Sequence, residues 1–189
     1  ELIGSWGISA TERPRCFCIS FSESFVRSTP SKKIEFYSLQ MQKAGFDPVP
    51  RYTRPEPPPQ GAYRLLFGRA PMHSFSRTQT NPLLMDLQSE NSVWVNAGEA
   101  QRLSLKSGDY VRMRNLDGQV SDRIRVKATQ RIRPDCVYIT HGWGHTSRML
   151  SRALGKGASD SQLITRYKTD PLMGGTGMNV NFVTLEAEC

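Results

Sequence analysis

Long hydrophobic runs are missing from this chain. No apolar stretch exceeds a few residues, which leaves nothing able to cross a bilayer as a helix. A basic start followed by an apolar stretch is also missing, so no signal peptide is visible. Cysteine is scarce: Cys16, Cys18, Cys136 and Cys189 form no C-x-x-C pair and no zinc spacing, and they are too few for a disulfide scaffold. Cys16 and Cys18 fall on one face of an extended segment and read as small, half-buried side chains, and Cys136 reads as core. There is no G-x-S-x-G elbow, and three histidines supply no catalytic triad without invented geometry. Carboxylates are fewer than cations, 17 against 25, for a net charge of +8.

The 189 residues, 38% of them hydrophobic, suffice for one core, so the chain is one medium domain or a domain with an appendage. The charge is uneven. Residues 1–61 hold 8 basic and 6 acidic side chains, residues 62–134 hold 12 and 6, and residues 135–189 hold 5 and 5. An anionic ligand, an acidic partner, nucleic acid or a merely solvated face would each account for a basic middle third. Residue 1 is Glu1, not methionine, which fits a processed chain or a piece of a longer one.

The proline-rich segment Arg51–Gly61 cannot be regular helix or central strand, because proline lacks an N–H and fixes φ. It reads as a linker between residues 1–50, a connector or partial preceding domain, and a compact domain over 62–189. Within the first piece, Ile34 to Tyr37 suggests a short strand running into a helical turn that Gly45 ends. A segment this short buries too little to fold alone.

The second piece is a succession of short strands and turns. Tyr63–Gly68 is a strand, and Asn81 with Pro82 starts a short helix to Leu87. Val93–Val95 is a strand, and Asn96 caps a helix holding Ala97, Ala100 and Leu103. Tyr110–Asn115 and Val120–Lys127 alternate with period 2 around Asp117-Gly118, a hairpin signal with both turn residues at φ > 0. A two-residue turn there pairs Val111 with Ile124 and sets Arg112 against Arg123, an unfavourable like-charge pair. Cys136–Thr140 and Val180–Leu185 are further strands, with a helical turn expected within Thr146–Leu154. The pattern is mainly β with short helices, a β-barrel with helical insertions.

Three loops carry candidate chemistry. The first, Met72–Asn81, is dense in donors and nearly free of carboxylate: His73, Ser74, Ser76, Arg77, Thr78 and Gln79. It suits an anionic, hydrogen-bond-rich small molecule, and an exposed polar loop accounts for it equally well. The second, His141-Gly142-Trp143-Gly144-His145, sets two imidazoles four apart, but its glycines argue against the helix a zinc pair needs, and no third ligand is evident. The third, Gly174-Gly175-Thr176-Gly177, precedes a strand rather than a helix, the wrong context for a dinucleotide or phosphate loop; its N–H groups can still face an anion.

The order of these pieces carries a resemblance. Thr29-Pro30-Ser31-Lys32-Lys33-Ile34-Glu35-Phe36-Tyr37-Ser38, the linker, Gly68-Arg69, His73 to Asn81, Val93-Trp94-Val95-Asn96, Gly108-Asp109-x-Val111, His141 to His145, Asp170-Pro171-Leu172-x-Gly174-Gly175 and Asn179-Val180-Asn181 follow one another as in a known family. The chain resembles the C-terminal part of the large subunit of molybdopterin oxidoreductases of the dimethyl-sulfoxide-reductase superfamily, nearest the polysulfide, thiosulfate and tetrathionate reductases. The resemblance implies a six-stranded double-psi β-barrel preceded by an irregular connector. It implies a bis(molybdopterin guanine dinucleotide) cofactor carrying molybdenum or tungsten. The implied contacts are Arg69, His73, Ser74, Ser76, Arg77, Thr78 and Gln79, the turn His141, Gly142, Trp143, Gly144 and His145, and Asp170 and Asn179. No catalytic residue and no metal ligand is implied within this stretch.

The family's large subunits extend several hundred residues further on the N-terminal side, where the iron–sulfur cluster and the metal-ligating residue lie, and Cys16-Phe17-Cys18 matches neither site. The chain is therefore expected to be an enzyme fragment that does not turn over by itself. Its expected partners are the rest of its own large subunit, an iron–sulfur electron-transfer subunit and a membrane-anchor subunit, on the periplasmic side of the membrane. Nucleic acid is not expected from the resemblance. Two rival readings are a free-standing basic barrel that binds nucleic acid or an acidic protein, and a structural module for subunit assembly.

Overall fold

A computed structural model describes Thr29 and residues 31–188. Cys16, Cys18 and Cys189, Pro30 and the first part of the connector lie outside the described residues. The chain divides into two compact units, Glu1–Tyr52 and Thr53–Cys189.

In the first unit the described residues form one short helix, α1 (Leu39–Lys43). The Ser38 hydroxyl caps it by accepting from the Met41 amide at 3.2 Å, and Gly45 follows at φ +81°. The strand expected at Ile34–Tyr37 does not form. No residue of α1 is buried, and Phe36 is 82% exposed.

The second unit is a closed barrel of six strands: β1 (Tyr63–Gly68), β2 (Ser92–Asn96), β3 (Tyr110–Asn115), β4 (Ile124–Thr129), β5 (Cys136–Thr140) and β8 (Phe182–Ala187). A two-stranded ribbon, β6 (Lys168–Thr169) and β7 (Thr176–Gly177), stands apart from it, and β7 falls within the glycine stretch read as a loop. Around the barrel the order is β1-β5-β2-β4-β3-β8. β1 and β5 pair in parallel, as do β2 and β4, and the other contacts are antiparallel. Closure leaves no free sheet edge.

The alternation read in the sequence fills the barrel. Leu65, Val93, Val95, Val111, Met113, Ile124, Val126, Val137, Ile139 and Val183 point inward and are fully or almost fully buried. Each such side chain contributes roughly 1.5–3 kcal/mol of hydrophobic stabilisation. Arg114, Arg125 and Lys127 face outward between them. Helix α2 (Pro82–Leu87) starts where expected: the Asn81 side chain accepts from the amides of Leu83 and Leu84, with proline in the first turn. Helix α3 (Ala97–Arg102) is capped by Asn96, whose side chain accepts from the Gly98 amide. Thr146–Leu154 forms turns but no helix.

The β3–β4 hairpin corrects the expected turn. Val111 does face Ile124. Nearer the turn, Arg114 bridges Val120, a register one residue different, so an extra residue bulges from the returning strand between Val120 and Ile124. Gly118 has φ +85°, but Asp117 is not at positive φ. The Asn115 side chain accepts from the amides of Asp117 and Gln119 and closes a longer loop. The bulge relieves the like-charge contact. Arg112 pairs with Glu188 at 2.6 Å, and the Arg123 guanidinium lies 4.5 Å from the Tyr110 ring centre.

Strand direction decides where the loops go. β1, β3 and β5 run one way and β2, β4 and β8 the other. The segments after β1 and after β5, and the one leading into β8, therefore emerge at the same end of the barrel.

Candidate functional site

At that end the loop after β1 and the turn after β5 interlock. The His141 amide donates to the Gly68 carbonyl at 2.9 Å, tying the turn to the end of β1. Gly142 has φ +92°, and a Cβ there would lie 2.3 Å from the Phe75 carbonyl oxygen. Only glycine allows this approach. At Gly144, with φ +76°, a Cβ would lie 2.5 Å from the Ser159 amide nitrogen. The His141 ring meets Phe75 edge-on at 4.7 Å, and the Arg69 guanidinium lies over the Phe75 ring at 4.9 Å.

Two buried amides brace the loops from below. Asn91 is fully buried; its side chain donates to the Thr140 and Ala158 carbonyls at 2.8 and 2.9 Å and accepts from the Ala158 amide at 2.9 Å. Gln79 donates to the Phe75 carbonyl at 2.6 Å. His73, also buried, lies 3.2 Å from the Thr78 hydroxyl through Nδ1 and 3.0 Å from the Gln88 carbonyl through Nε2, and it meets Trp143 edge-on at 5.2 Å. Both its ring nitrogens thus have partners within the protein. Thr78 also accepts from the Ser74 amide at 2.9 Å.

Among the described residues, three buried side-chain atoms have no hydrogen-bond partner: Gln79 Oε1, Trp143 Nε1 and His145 Nε2. All three belong to these two loops. An unpaired buried polar atom costs roughly 1–3 kcal/mol, so a ligand offering both donors and acceptors would be stabilised here. The exposed edge of the same loops carries Ser74, Ser76 and Arg77, and the Arg77 guanidinium pairs with no carboxylate among the described residues.

A cleft of about 380 Å³ opens beside the turn, lined by Phe75, Ser76, residues 141–147 and residues 159–161. It contains one carboxylate, Asp160, which is 4% exposed. Burial pushes the Asp160 carboxyl above its ordinary value, although the amides of Gly142 and Ser161 and the charge of His141 favour its ionised form. Nothing in the sequence singles out Asp160, because it sits in a plain polar stretch, Ser159-Asp160-Ser161-Gln162.

Asp170 and Asn179 line a different groove, of about 640 Å³, with Arg64 and the β6–β7 ribbon. Asp170 is exposed, and its carboxylate accepts from the amides of Leu172 and Met173, closing its own turn. The Asn179 carbonyl accepts from Arg64. The loop after β1 and the turn after β5 thus converge, while Asp170 and Asn179 do not join them. A still larger groove, about 690 Å³, runs along the outer wall over Leu66, Tyr138, Trp94 and Lys127 and reaches Arg69, Pro71 and Met72 at the start of the loop after β1.

The basic strand faces are largely neutralised within the barrel. Arg112 pairs with Glu188, Arg114 with Glu186 and Arg125 with Glu90, at 2.6, 2.5 and 3.0 Å. Such pairing leaves less free charge to track a phosphate backbone than the composition suggests.

The comparisons with known proteins identify the family of the barrel. Residues 63–182 match the family model described as Molydopterin dinucleotide binding domain. The chain is 29% identical over 168 residues to the thiosulfate reductase molybdopterin-containing subunit PhsA of Salmonella typhimurium, covering 88% of this chain and 22% of that protein. It is 28% identical over 177 residues to dimethyl sulfoxide reductase DmsA of Escherichia coli, covering 84% and 21%. It therefore spans about a fifth of the length of these relatives. Among solved structures, acetylene hydratase from Pelobacter acetylenicus matches with a TM-score of 0.62 at 20% identity, over 85% of this chain and 24% of that one, a likeness of fold. A six-stranded barrel and a family model that runs from β1 to the first residue of β8 lead to one statement: this chain belongs to the molybdopterin dinucleotide binding domain family, within the dimethyl sulfoxide reductase group of oxidoreductases.

Proposed function

We propose that this chain is the cofactor-clamping part of a molybdenum- or tungsten-dependent reductase of inorganic sulfur compounds, with polysulfide or thiosulfate as the substrate class. The observation that carries the binding role is the cluster of unpartnered buried atoms, Gln79 Oε1, Trp143 Nε1 and His145 Nε2, on two loops pinned together by Gly142. The substrate class is supported by the likeness to a thiosulfate reductase subunit over 88% of the chain.

The residues present fit a pterin dinucleotide. Pyrophosphate needs cations and N–H donors, which Arg69, Arg77 and the loop amides offer. A fused heterocycle needs edge donors and acceptors, which Trp143, His145 and Gln79 offer. When bound, the group supplies the redox chemistry. The chain's own residues hold and orient it, and the packed turn at residues 141–145 excludes water from one side. The rest of the large subunit completes the clamp and holds the iron–sulfur cluster. An iron–sulfur electron-transfer subunit and a membrane anchor are the partners in this reading, and the assembly works on the periplasmic side.

The test adds cofactor extracted from a related enzyme to the 189-residue chain and follows backbone and side-chain NMR shifts. Shifts at Arg77, Gln79 and His141 are expected. Silence there, with binding elsewhere on the barrel, would refute the site. Binding of single-stranded nucleic acid that weakens steeply with salt and maps to the β3 and β4 arginines would favour the rival reading.

A further inference from the structure

Adjacent strands of the barrel wall set four outward side chains in register. Leu66 faces Tyr138, Tyr138 faces Trp94, and Trp94 faces Lys127, across β1, β5, β2 and β4. Two residues nearer the candidate site, the outward positions are Gly68, Thr140 and Ser92. The wall therefore steps down from large side chains to small ones, and the groove of about 690 Å³ lies along that step. Gly68 leaves room for the tyrosine: a Cβ there would lie 2.9 Å from the Tyr138 hydroxyl. Tyr138 and Trp94 meet edge-on at 5.2 Å, and Lys127 Nζ lies 4.4 Å from the Trp94 ring centre.

The groove suits an occupant that is apolar along its length and negative at one end. Its β4 end carries Lys127 and Arg131, both exposed, and neither pairs with a carboxylate among the described residues. Glu90 is the one carboxylate in the lining, and Arg125 holds it at 3.0 Å. Arg69 reaches the other end, but its guanidinium lies over Phe75. Between the ends stand Leu66, Tyr138 and Trp94, with Leu87 of α2 67% exposed beside them. Aromatic side chains flanked by cations are typical anchors of protein interfaces. The row crosses three strand spacings, roughly 14 Å, which an extended polypeptide covers in about four residues and a single small carboxylate does not.

We propose that this groove docks an acidic segment of a separate protein chain, with apolar residues seated over Tyr138 and Trp94 and carboxylates that meet Lys127 and Arg131. β4 runs opposite to β1 and β5, so Arg131, just past its end, lies toward the end of the barrel away from the candidate site. The rest of the large subunit closes over the loops at the other end. Assigning the segment to a separate chain therefore rests on the cofactor reading given above, whereas the acidic, apolar character of the occupant rests on the groove alone.

The experiment titrates the 189-residue chain with two end-blocked peptides, Leu-Phe-Leu-Asp-Glu and Leu-Phe-Leu-Lys-Lys, and reads the Trp94 indole N–H and the Tyr138 and Lys127 amides by NMR. The acidic peptide is expected to move these signals and to bind at least about tenfold more tightly than the basic one. Lys127→Glu combined with Arg131→Glu, both at exposed positions, should reverse that order, and Trp94→Ala should weaken both peptides. Should Trp94→Ala not fold, the charge-reversed variant still decides. Equal affinity for the two peptides, an order that charge reversal leaves unchanged, or silence at Trp94 would overturn the docking surface. Signals that move with protein concentration alone would assign the groove to a second copy of this chain and overturn it as well. Anisotropy of the labelled acidic peptide then tests the source. The whole large subunit, freed of its partners, should bind it as the 189-residue chain does and lose it on assembly with them. A whole subunit that does not bind, or an assembly that still does, would overturn the separate chain. The cofactor reading is read at Arg77, Gln79 and His141, which the peptides should leave unmoved, so its failure shows separately.

Discussion

Replacing Gly142 by alanine tests whether the two loops are locked as described. Two terms add. The left-handed backbone at φ +92° costs a non-glycine residue roughly 1–2 kcal/mol. The new Cβ would also sit 2.3 Å from the Phe75 carbonyl oxygen, far inside van der Waals contact, so the loop must move. Moving it breaks the Gln79 bond to that carbonyl, an additional loss of roughly 1–3 kcal/mol in a buried setting. The expected sum is about 2–5 kcal/mol. Gly118→Ala supplies the control: its φ is +85°, and nothing lies within 4 Å of its Cβ position, so only the first term applies. At ~4 °C per kcal/mol for a domain of this size, Gly142→Ala should melt ~8–20 °C below wild type and Gly118→Ala ~4–8 °C below. Thermal unfolding of the 189-residue chain, followed by circular dichroism, measures both. If the two variants melt within about 2 °C of each other, the loops do not meet at Gly142, because the steric term is then missing.

Other outcomes follow from the same packing. Asn91→Ala strips three bonds from buried backbone groups of Thr140 and Ala158, and should cost about 3–5 kcal/mol in urea unfolding, with loss of amide-exchange protection at Ala158. Asp160 and Asp117 should give opposite pH slopes. Burial raises the Asp160 carboxyl, so the folded chain binds its proton more tightly, and this group's contribution falls as pH rises from its unfolded value through the raised one; Asp160→Asn should remove that slope. The Arg166 and Thr165 contacts lower the Asp117 carboxyl, so its contribution is present above the unfolded value and lost as pH falls through the folded one, a difference that Asp117→Asn should erase. Cys136 is buried and its thiol is raised, chiefly by that burial, so mass spectrometry of alkylated chain should find its peptide unmodified until the barrel unfolds.

Much of the barrel was legible in the amino-acid order, because its signals are local. Period-2 alternation marked Val111, Met113, Ile124 and Val126 as inward, and side-chain caps marked the starts of α2 and α3 at Asn81 and Asn96. The order of motifs then carried the family, which the match over residues 63–182 bears out. Local signals failed where the deciding contact was distant. The Asp117-Gly118 turn was misjudged because the Asn115 side chain and a bulge past Val120 outweighed the dipeptide's preference. The expected strand at Ile34–Tyr37 has no neighbour to pair with among the described residues of its unit.

Tertiary structure alone decided which loops share a site. The parallel pairings β1–β5 and β2–β4 join segments more than thirty residues apart in β2–β4 and more than seventy apart in β1–β5, and no periodicity encodes such partners. Those pairings send the loop after β1 and the turn after β5 to one end, bring Gly142 onto Phe75, and leave Asp170 and Asn179 in a separate groove. They also bury Asp160, a residue with no sequence signal, beside His141. A carboxylate's burial depends on what folds over it, and composition along the chain does not carry that information.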